Sequence, residues 1–138
     1  MSTVTRFGIS MDSSLLDQFD AYISQKGYSN RSEALRDLVR ERLIHSEWQA
    51  GTHETIGTLT LIYDHHQREL QSRLTGHQHE HNAMVISTMH VHLDHHHCLE
   101  VLAVKGQADA IQRMADEMLS LRGVKHGKLV MTTTGEYL

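Results

Sequence analysis

The sequence has no proline and only one cysteine among its 138 residues. A single cysteine cannot close a disulfide within the chain, so packing or a bound metal must hold the fold, and we expect a reducing, cytoplasmic setting. No apolar run approaches the roughly 18 residues of a membrane span. The first ten residues lack the basic start and apolar block of a signal peptide. We therefore expect no membrane partner.

An excess of positive charge is also missing. The net charge is −4, with 39% hydrophobic and 22% charged residues, which is typical of a globular protein. Any binding to nucleic acid must therefore come from locally placed cations and from shape. Composition changes near Gly51: residues 1–45 hold one histidine, and residues 53–138 hold twelve. This change predicts two domains, 1–48 and 53–138.

The first 45 residues predict one strand followed by two helices. In "TRFGISMD" apolar and polar residues alternate, so Arg6, Gly8 and Ser10 share one face of a strand. Asn30 is the expected N-cap of the second helix. A lone strand leaves its backbone groups without partners, whereas two chains can pair their strands over four helices. Such a two-stranded ribbon fits the DNA major groove, where Arg6 and Ser10 would face the bases.

The histidine-rich half predicts strands and helices in the order βαββαβ, a ferredoxin-like arrangement. The expected fold class is therefore α+β, with a βαα unit before a βαββαβ domain. In "HVHLDHHHC" two imidazoles lie about 6.6 Å apart on one strand face. The turn that follows returns Cys98 beside His90 and His92. Three protein ligands leave a coordination set incomplete, so a fourth must come from elsewhere.

Other readings of the histidines stay open. Copper(II) suits these donors, and a metal storage or chaperone protein would need the same histidines without binding DNA. No motif supports a hydrolase, so we expect neither an enzyme nor a small-molecule substrate. Five histidines are undecided as weaker surface ligands: His65, His66, His77, His81 and His126. The three loop histidines, 95 to 97, are expected to be exposed.

Two stretches, "RFGISMDSSLLDQFD" and "GYSNRSEALRDLVR", resemble the ribbon-helix-helix family of transcriptional regulators. That resemblance implies that Asn30, Arg31 and Ser32, at the start of the second helix, hold a DNA phosphate. Together, both halves resemble the nickel-responsive repressor family NikR over nearly the whole chain, with "HVHLDHHHC" as the hallmark.

The NikR resemblance implies one Ni²⁺ per subunit in a square-planar site. His79 of a neighbouring subunit would complete it, although His77 and His81 are close enough in sequence to compete for the role. It also implies an ACT-type second domain at the core of a homotetramer, a dimer of dimers on a palindromic operator. The implied function is nickel-dependent repression of nickel-uptake genes, with Ni²⁺ raising operator affinity.

Two differences from that family affect the expected DNA contacts. Gly8 stands where a known member has threonine, which removes a base contact. Gln67 and Arg68 stand where that member has a lysine–arginine pair on the DNA backbone, so only Arg68 keeps the charge. The resemblance further implies that Glu33 and Asp37 hold a second cation, monovalent or divalent.

Overall fold

The structure is a computed structural model that describes residues 3–66, 70, 76, 84–136 and 138. Two compact units divide the chain, Met1–Glu41 and Arg42–Leu138. The elements are, in chain order, helices α1 (Ser13–Gln25) and α2 (Arg31–Ala50), strands β1 (Glu54–Asp64), β2 (Val85–His92) and β3 (His97–Gln107), helix α3 (Ala108–Leu119) and strand β4 (Val124–Met131). No helix among the described residues is both long enough and apolar enough to span a membrane.

The ends of the first two helices follow from local hydrogen bonds. The carboxylate of Asp12 accepts a hydrogen bond from the backbone N–H of Ser14 at 3.1 Å, which begins α1. After α1, Gly27 adopts a φ of 86°, a conformation that glycine reaches at little cost. The side chain of Asn30 accepts from the backbone N–H of Glu33 at 2.9 Å, as predicted for the N-cap of α2.

The predicted strand around residues 6–11 pairs with none of the described residues of its own chain. Described residues 3–12 belong to no helix or strand, and Phe7 remains 75% exposed. Because strand pairing needs a second backbone, the prediction requires a second copy. The two helices also leave apolar side chains open, and five of them are between 45% and 54% exposed: Leu15, Tyr22, Leu38, Val39 and Leu43.

The second unit contains a four-stranded antiparallel sheet in the order β2-β3-β1-β4. This order is that of the predicted ferredoxin-like domain. Helix α3 lies against β1, β3 and β4. Leu70 is helical and only 2% exposed, and it belongs to the same core as β1 and β3. Of the other residues in the predicted helix between β1 and β2, His65 and His66 form a turn and Gly76 is helical. The rest of this predicted helix lies outside the described residues.

Side chains alternate between the two faces of β1 and β3, and this determines which of them are buried on the helix-covered face of the sheet. Every second residue of β1 from Thr55 to Tyr63 is buried, and so is every second residue of β3 from Cys98 to Val104. Strand β2 lies at the sheet edge, where His92 is opposite Cys98 and His90 is opposite Glu100. Residues opposite each other in a sheet point to the same face. The two histidines of β2 therefore share a face with the buried cysteine.

Candidate metal centre

The β2–β3 hairpin brings His92 and Cys98 into contact. The Sγ atom of Cys98 lies 3.4 Å from Nδ1 of His92. The turn between them is closed by Asp94, whose Oδ1 atom accepts hydrogen bonds from the backbone N–H groups of His96 and His97, both at 2.8 Å. These bonds hold the pKa of Asp94 well below its usual range, with the His96 bond contributing most. The prediction that the turn returns the cysteine to the histidine pair is confirmed for His92.

His65 joins these two residues from the end of β1. Ligating atoms of His65, His92 and Cys98 all lie within 4.8 Å of one another. The backbone N–H of His65 donates to the carbonyl oxygen of His96 at 2.9 Å, which ties the residue to the hairpin turn. Its Nδ1 atom is buried and has no hydrogen-bond partner among the described residues. Burial lowers the pKa of His65, with a smaller contribution from neighbouring histidines, and thereby favours the neutral form that binds metals.

His90 lies next to this cluster. Its ring centroid is 5.2 Å from that of His92 and 6.1 Å from that of Tyr63. The structure therefore brings two of the predicted ligands, His92 and Cys98, into one cluster and places His90 one ring further along β2. The fourth predicted ligand, His79, lies outside the described residues, as do its competitors His77 and His81.

The thiol of Cys98 is fully buried, at 0% exposure. Burial raises the pKa of this thiol, and the negative charges of Glu100, Asp94 and Asp64 raise it further. The thiol is therefore protonated at neutral pH in the metal-free chain, and a metal that binds it must displace the proton. Two imidazoles and one thiolate form a borderline-to-soft donor set that suits nickel, copper or zinc better than magnesium or calcium.

A buried tyrosine–glutamate pair lies under the site. The hydroxyl of Tyr63 donates to Oε2 of Glu100 at 2.9 Å, and these residues are 2% and 5% exposed. Burial, reinforced by the charge of Glu100, raises the pKa of Tyr63 above its ordinary value. Glu100 is opposite His90 across the strand pair. Sequence reasoning missed Tyr63, although its place in the alternation of β1 marks it as facing the core.

The remaining histidines of the hairpin turn differ in their exposure. His95 and His96 are exposed, as predicted, whereas His97 is partly buried. The ring of His97 lies 3.0 Å from the carboxylate of Asp94. His126, on β4, is exposed.

The predicted DNA contacts of the first unit lie on its surface. Arg6, Gly8, Ser10 and Ser32 are all exposed. The guanidinium of Arg31 donates from Nε and Nη2 to the two carboxylate oxygens of Asp20 at 2.9 and 2.8 Å. This bidentate bond lowers the pKa of Asp20. Arg68, the remaining predicted contact, lies outside the described residues.

Both carboxylates of the predicted second cation site accept hydrogen bonds from nearby side chains. Glu33 accepts from the hydroxyl of Ser29 at 2.9 Å. Asp37 accepts from the hydroxyl of Tyr28 at 2.7 Å and from Arg40 at 3.2 Å. The Tyr28 bond is the main cause of a lowered pKa at Asp37. A cation at this position would have to share these oxygens with their present donors.

Comparison with known proteins supports the metal and the DNA-binding parts separately. Residues 56–132 match the family model described as the NikR C-terminal nickel-binding domain. Residues 5–45 match the model described as ribbon-helix-helix protein, copG family. The chain belongs to the nickel-responsive regulator family. This membership covers both halves of the sequence and confirms the α+β fold class and the resemblance predicted above.

Full-length relatives provisionally carry the name nickel-responsive regulator. One from Geotalea uraniireducens is 58% identical over all 138 residues, which cover 99% of its length. One from Geobacter sulfurreducens is 56% identical over the same 138 residues and also 99% covered. One from Caldanaerobacter subterraneus is 56% identical over 135 residues, 98% of this chain and 88% of that protein. Nickel binding and transcription regulation are therefore the roles of this family.

Proposed function

We propose that this chain is a nickel-dependent transcriptional repressor of nickel-uptake genes, with higher affinity for its operator when Ni²⁺ is bound. The observation that carries the proposal is the contact of 3.4 Å between the Cys98 thiol and His92, with His90 on the same face of the same strand. A buried thiol beside imidazoles is a site for a soft or borderline metal. A protein that only bound DNA would not need such a metal site.

The ligands we propose are His90, His92 and Cys98 of one chain and His79 of another, with one Ni²⁺ per chain. When bound, the ion would supply a positive centre that these four ligands hold. The chain's own contribution is rigidity, because the hairpin bonds of Asp94 and the strand pairing fix the distance from His92 to Cys98. Zinc and copper share this donor set, so the choice of nickel rests on the family.

The ribbon-helix-helix part is proposed to bind DNA as a pair of chains. Its unpaired segment 3–12 and its open apolar helix faces are what a partner copy would cover. Arg6, Gly8 and Ser10 would then face the bases of a palindromic operator. Asn30, Arg31 and Ser32 would meet a phosphate at the start of α2, where free N–H groups favour an anion.

Two such pairs in one homotetramer would be held together by the second domain. The domains proposed are 1–48 and 53–138, and Arg68 of the second would add a contact to the DNA backbone. Glu33 and Asp37 are proposed to hold a second cation in the DNA-bound form. Because α2 continues unbroken from Arg31 to Ala50, the proposed boundary at residue 48 falls near the end of this helix.

Nickel is proposed to act on DNA binding by joining the segment 65–81 of one chain, through His79, to the hairpin of another. A coupling of about 1–3 kcal/mol would raise DNA affinity roughly 5- to 150-fold, and DNA must tighten nickel binding by the same factor. A storage or chaperone protein, the alternative, would bind nickel with no change in its affinity for DNA. The reciprocity therefore separates these two functions.

The first test is a titration of the metal-free protein with Ni²⁺, followed in the near-ultraviolet. Wild type should develop a thiolate-to-metal band that saturates at one ion per chain. A Cys98→Ala variant should lack it, and His95→Ala, from the exposed turn beside the site, should retain it. An equal response of wild type and the cysteine variant would show that the thiol is not a ligand.

The second test measures DNA binding by fluorescence anisotropy, with duplexes selected from genomic fragments by the nickel-loaded protein. Affinity should rise with Ni²⁺ in wild type and in His95→Ala, and it should not rise in Cys98→Ala. If nickel saturates the thiolate band but leaves DNA affinity unchanged, the protein stores or delivers nickel and is not a repressor.

A further inference from the structure

We propose that His65 is a nickel-capture ligand: His65, His92 and Cys98 of a single chain hold the ion first, before His90 and a residue of another chain complete the final site. This inference rests on the proposed function. It adds a residue that is absent from the proposed final ligand set. It also divides metal loading into a step within one chain and a later step between chains.

The geometry of the three donors already suits an ion. Protein ligands at about 2.0–2.3 Å from a metal lie at most about 4.6 Å apart, when they are on opposite sides of it. One ligating atom from each of His65, His92 and Cys98 lies within 4.8 Å of the other two. Small rotations of the side chains therefore suffice to close this set. His90 lies outside this group, so its participation requires a larger movement.

Backbone contacts hold the three residues together before any metal arrives. Tyr63 pairs with Cys98 across β1 and β3, so the residue two positions later, His65, extends past the strand end toward the turn. There its N–H is bonded to the carbonyl oxygen of His96. The buried Nδ1 atom of His65, without a partner among the described residues, is the sort of polar group that a bound ion would satisfy.

A row of imidazoles leads from the surface to this cluster. The ring of exposed His96 is 5.2 Å from that of His66, which is 4.2 Å from that of His65. The His65 ring is in turn 5.2 Å from that of His92, which contacts the buried thiol of Cys98. His92 is itself exposed, as are His66 and His96, so an ion from solvent meets surface imidazoles next to a thiol that has no exposure of its own.

The test is stopped-flow mixing of full-length metal-free protein with NiCl₂, following the thiolate-to-metal band. His65→Ala should slow the appearance of the band by about tenfold, the lower end of what losing a supporting metal partner costs. Its final amplitude and position should match wild type, since His65 is not in the final set. His65→Gln, which keeps a polar side chain of similar reach, should be slowed as well and guards against misfolding.

His95→Ala is the matched control, since it removes an imidazole from the same turn but outside the row, and it should load at the wild-type rate. Equal loading rates in wild type and His65→Ala would overturn the capture role. Permanent loss of the band in both His65 variants would also overturn it, because His65 would then be a final ligand. If wild type itself gave no band, the proposed nickel site would fail, a result distinct from either.

Discussion

The affinity for nickel should increase with pH across the neutral range because the Cys98 thiol must lose a proton to bind. Burial raises the pKa of this thiol above its ordinary value, so the metal-free chain keeps the thiol protonated throughout that range. Each ion bound then releases one proton from this group. The association constant should rise about tenfold per pH unit, or about 1.4 kcal/mol. Imidazole ligands must also be neutral, so the dependence should steepen in acid.

Calorimetry can count this proton directly. Nickel titrations at one neutral pH, in two buffers with different ionisation enthalpies, give the number of protons released per ion. Wild type should release one more proton than Cys98→Ala, and His95→Ala should match wild type. Competition with a chelator at several pH values should give the same slope independently.

The stability of the metal-free protein should change with pH in the opposite direction. A thiol pKa that is raised by folding favours the unfolded, ionised form once the pH exceeds the unfolded value, about 8.5. Thermal stability should therefore be intact in the neutral range and fall on the alkaline side, less so in Cys98→Ala. A flat nickel affinity between neutral and mildly alkaline pH would refute the reasoning, since it would mean that the thiol is already ionised or is not a ligand.

Three further predictions concern the stability of the folded protein. Tyr63→Phe removes a hydrogen bond to a buried carboxylate and should lower the free energy of unfolding, measured in urea, by about 1.5–3 kcal/mol. Tyr28→Phe removes a similar bond to an exposed carboxylate and should shift the urea midpoint far less. Gly127→Ala would place its Cβ 2.7 Å from the carbonyl oxygen of Thr60 and should lower the free energy of unfolding by about 1–3 kcal/mol. Gly8→Ala, whose Cβ would have no described atom of its own chain within 4 Å, should unfold like wild type. Nickel at 100 times its dissociation constant should stabilise the protein by about 2.7 kcal/mol in thermal melts, and equal melting of free and loaded protein would contradict binding to the folded state.

The strands of the second unit could be predicted because their alternation is set by a sheet with one covered face. The end of α2 could not. The sequence predicts a domain boundary between residues 48 and 53, yet the helix runs to Ala50 and Trp48 is 7% exposed. Its indole N–H donates to the carbonyl oxygen of Thr132 at 2.9 Å. That partner is 84 residues away, so no local pattern could indicate that this segment is anchored.

The same distinction applies to the metal centre. His92 and Cys98 are six residues apart in one hairpin, so spacing alone predicted their contact. His65 is 27 residues before His92 in the sequence, and only the register of β1 against β3 brings it to the hairpin turn. The sequence leaves its role undecided because it gives residue types without the register between distant strands.

The proposed division of donors between chains would explain why a nickel-responsive regulator has an incomplete site within one chain. If one chain supplied every ligand, nickel would bind whether or not the chains were assembled, and occupancy would carry no information about DNA binding. His65, His92 and Cys98 supply three donors within one chain, enough to retain an ion but not to satisfy four-fold coordination. Completing the site from a second chain would then draw on the assembly that pairs the ribbon segments. The apolar surfaces left open in the single chain are consistent with that requirement.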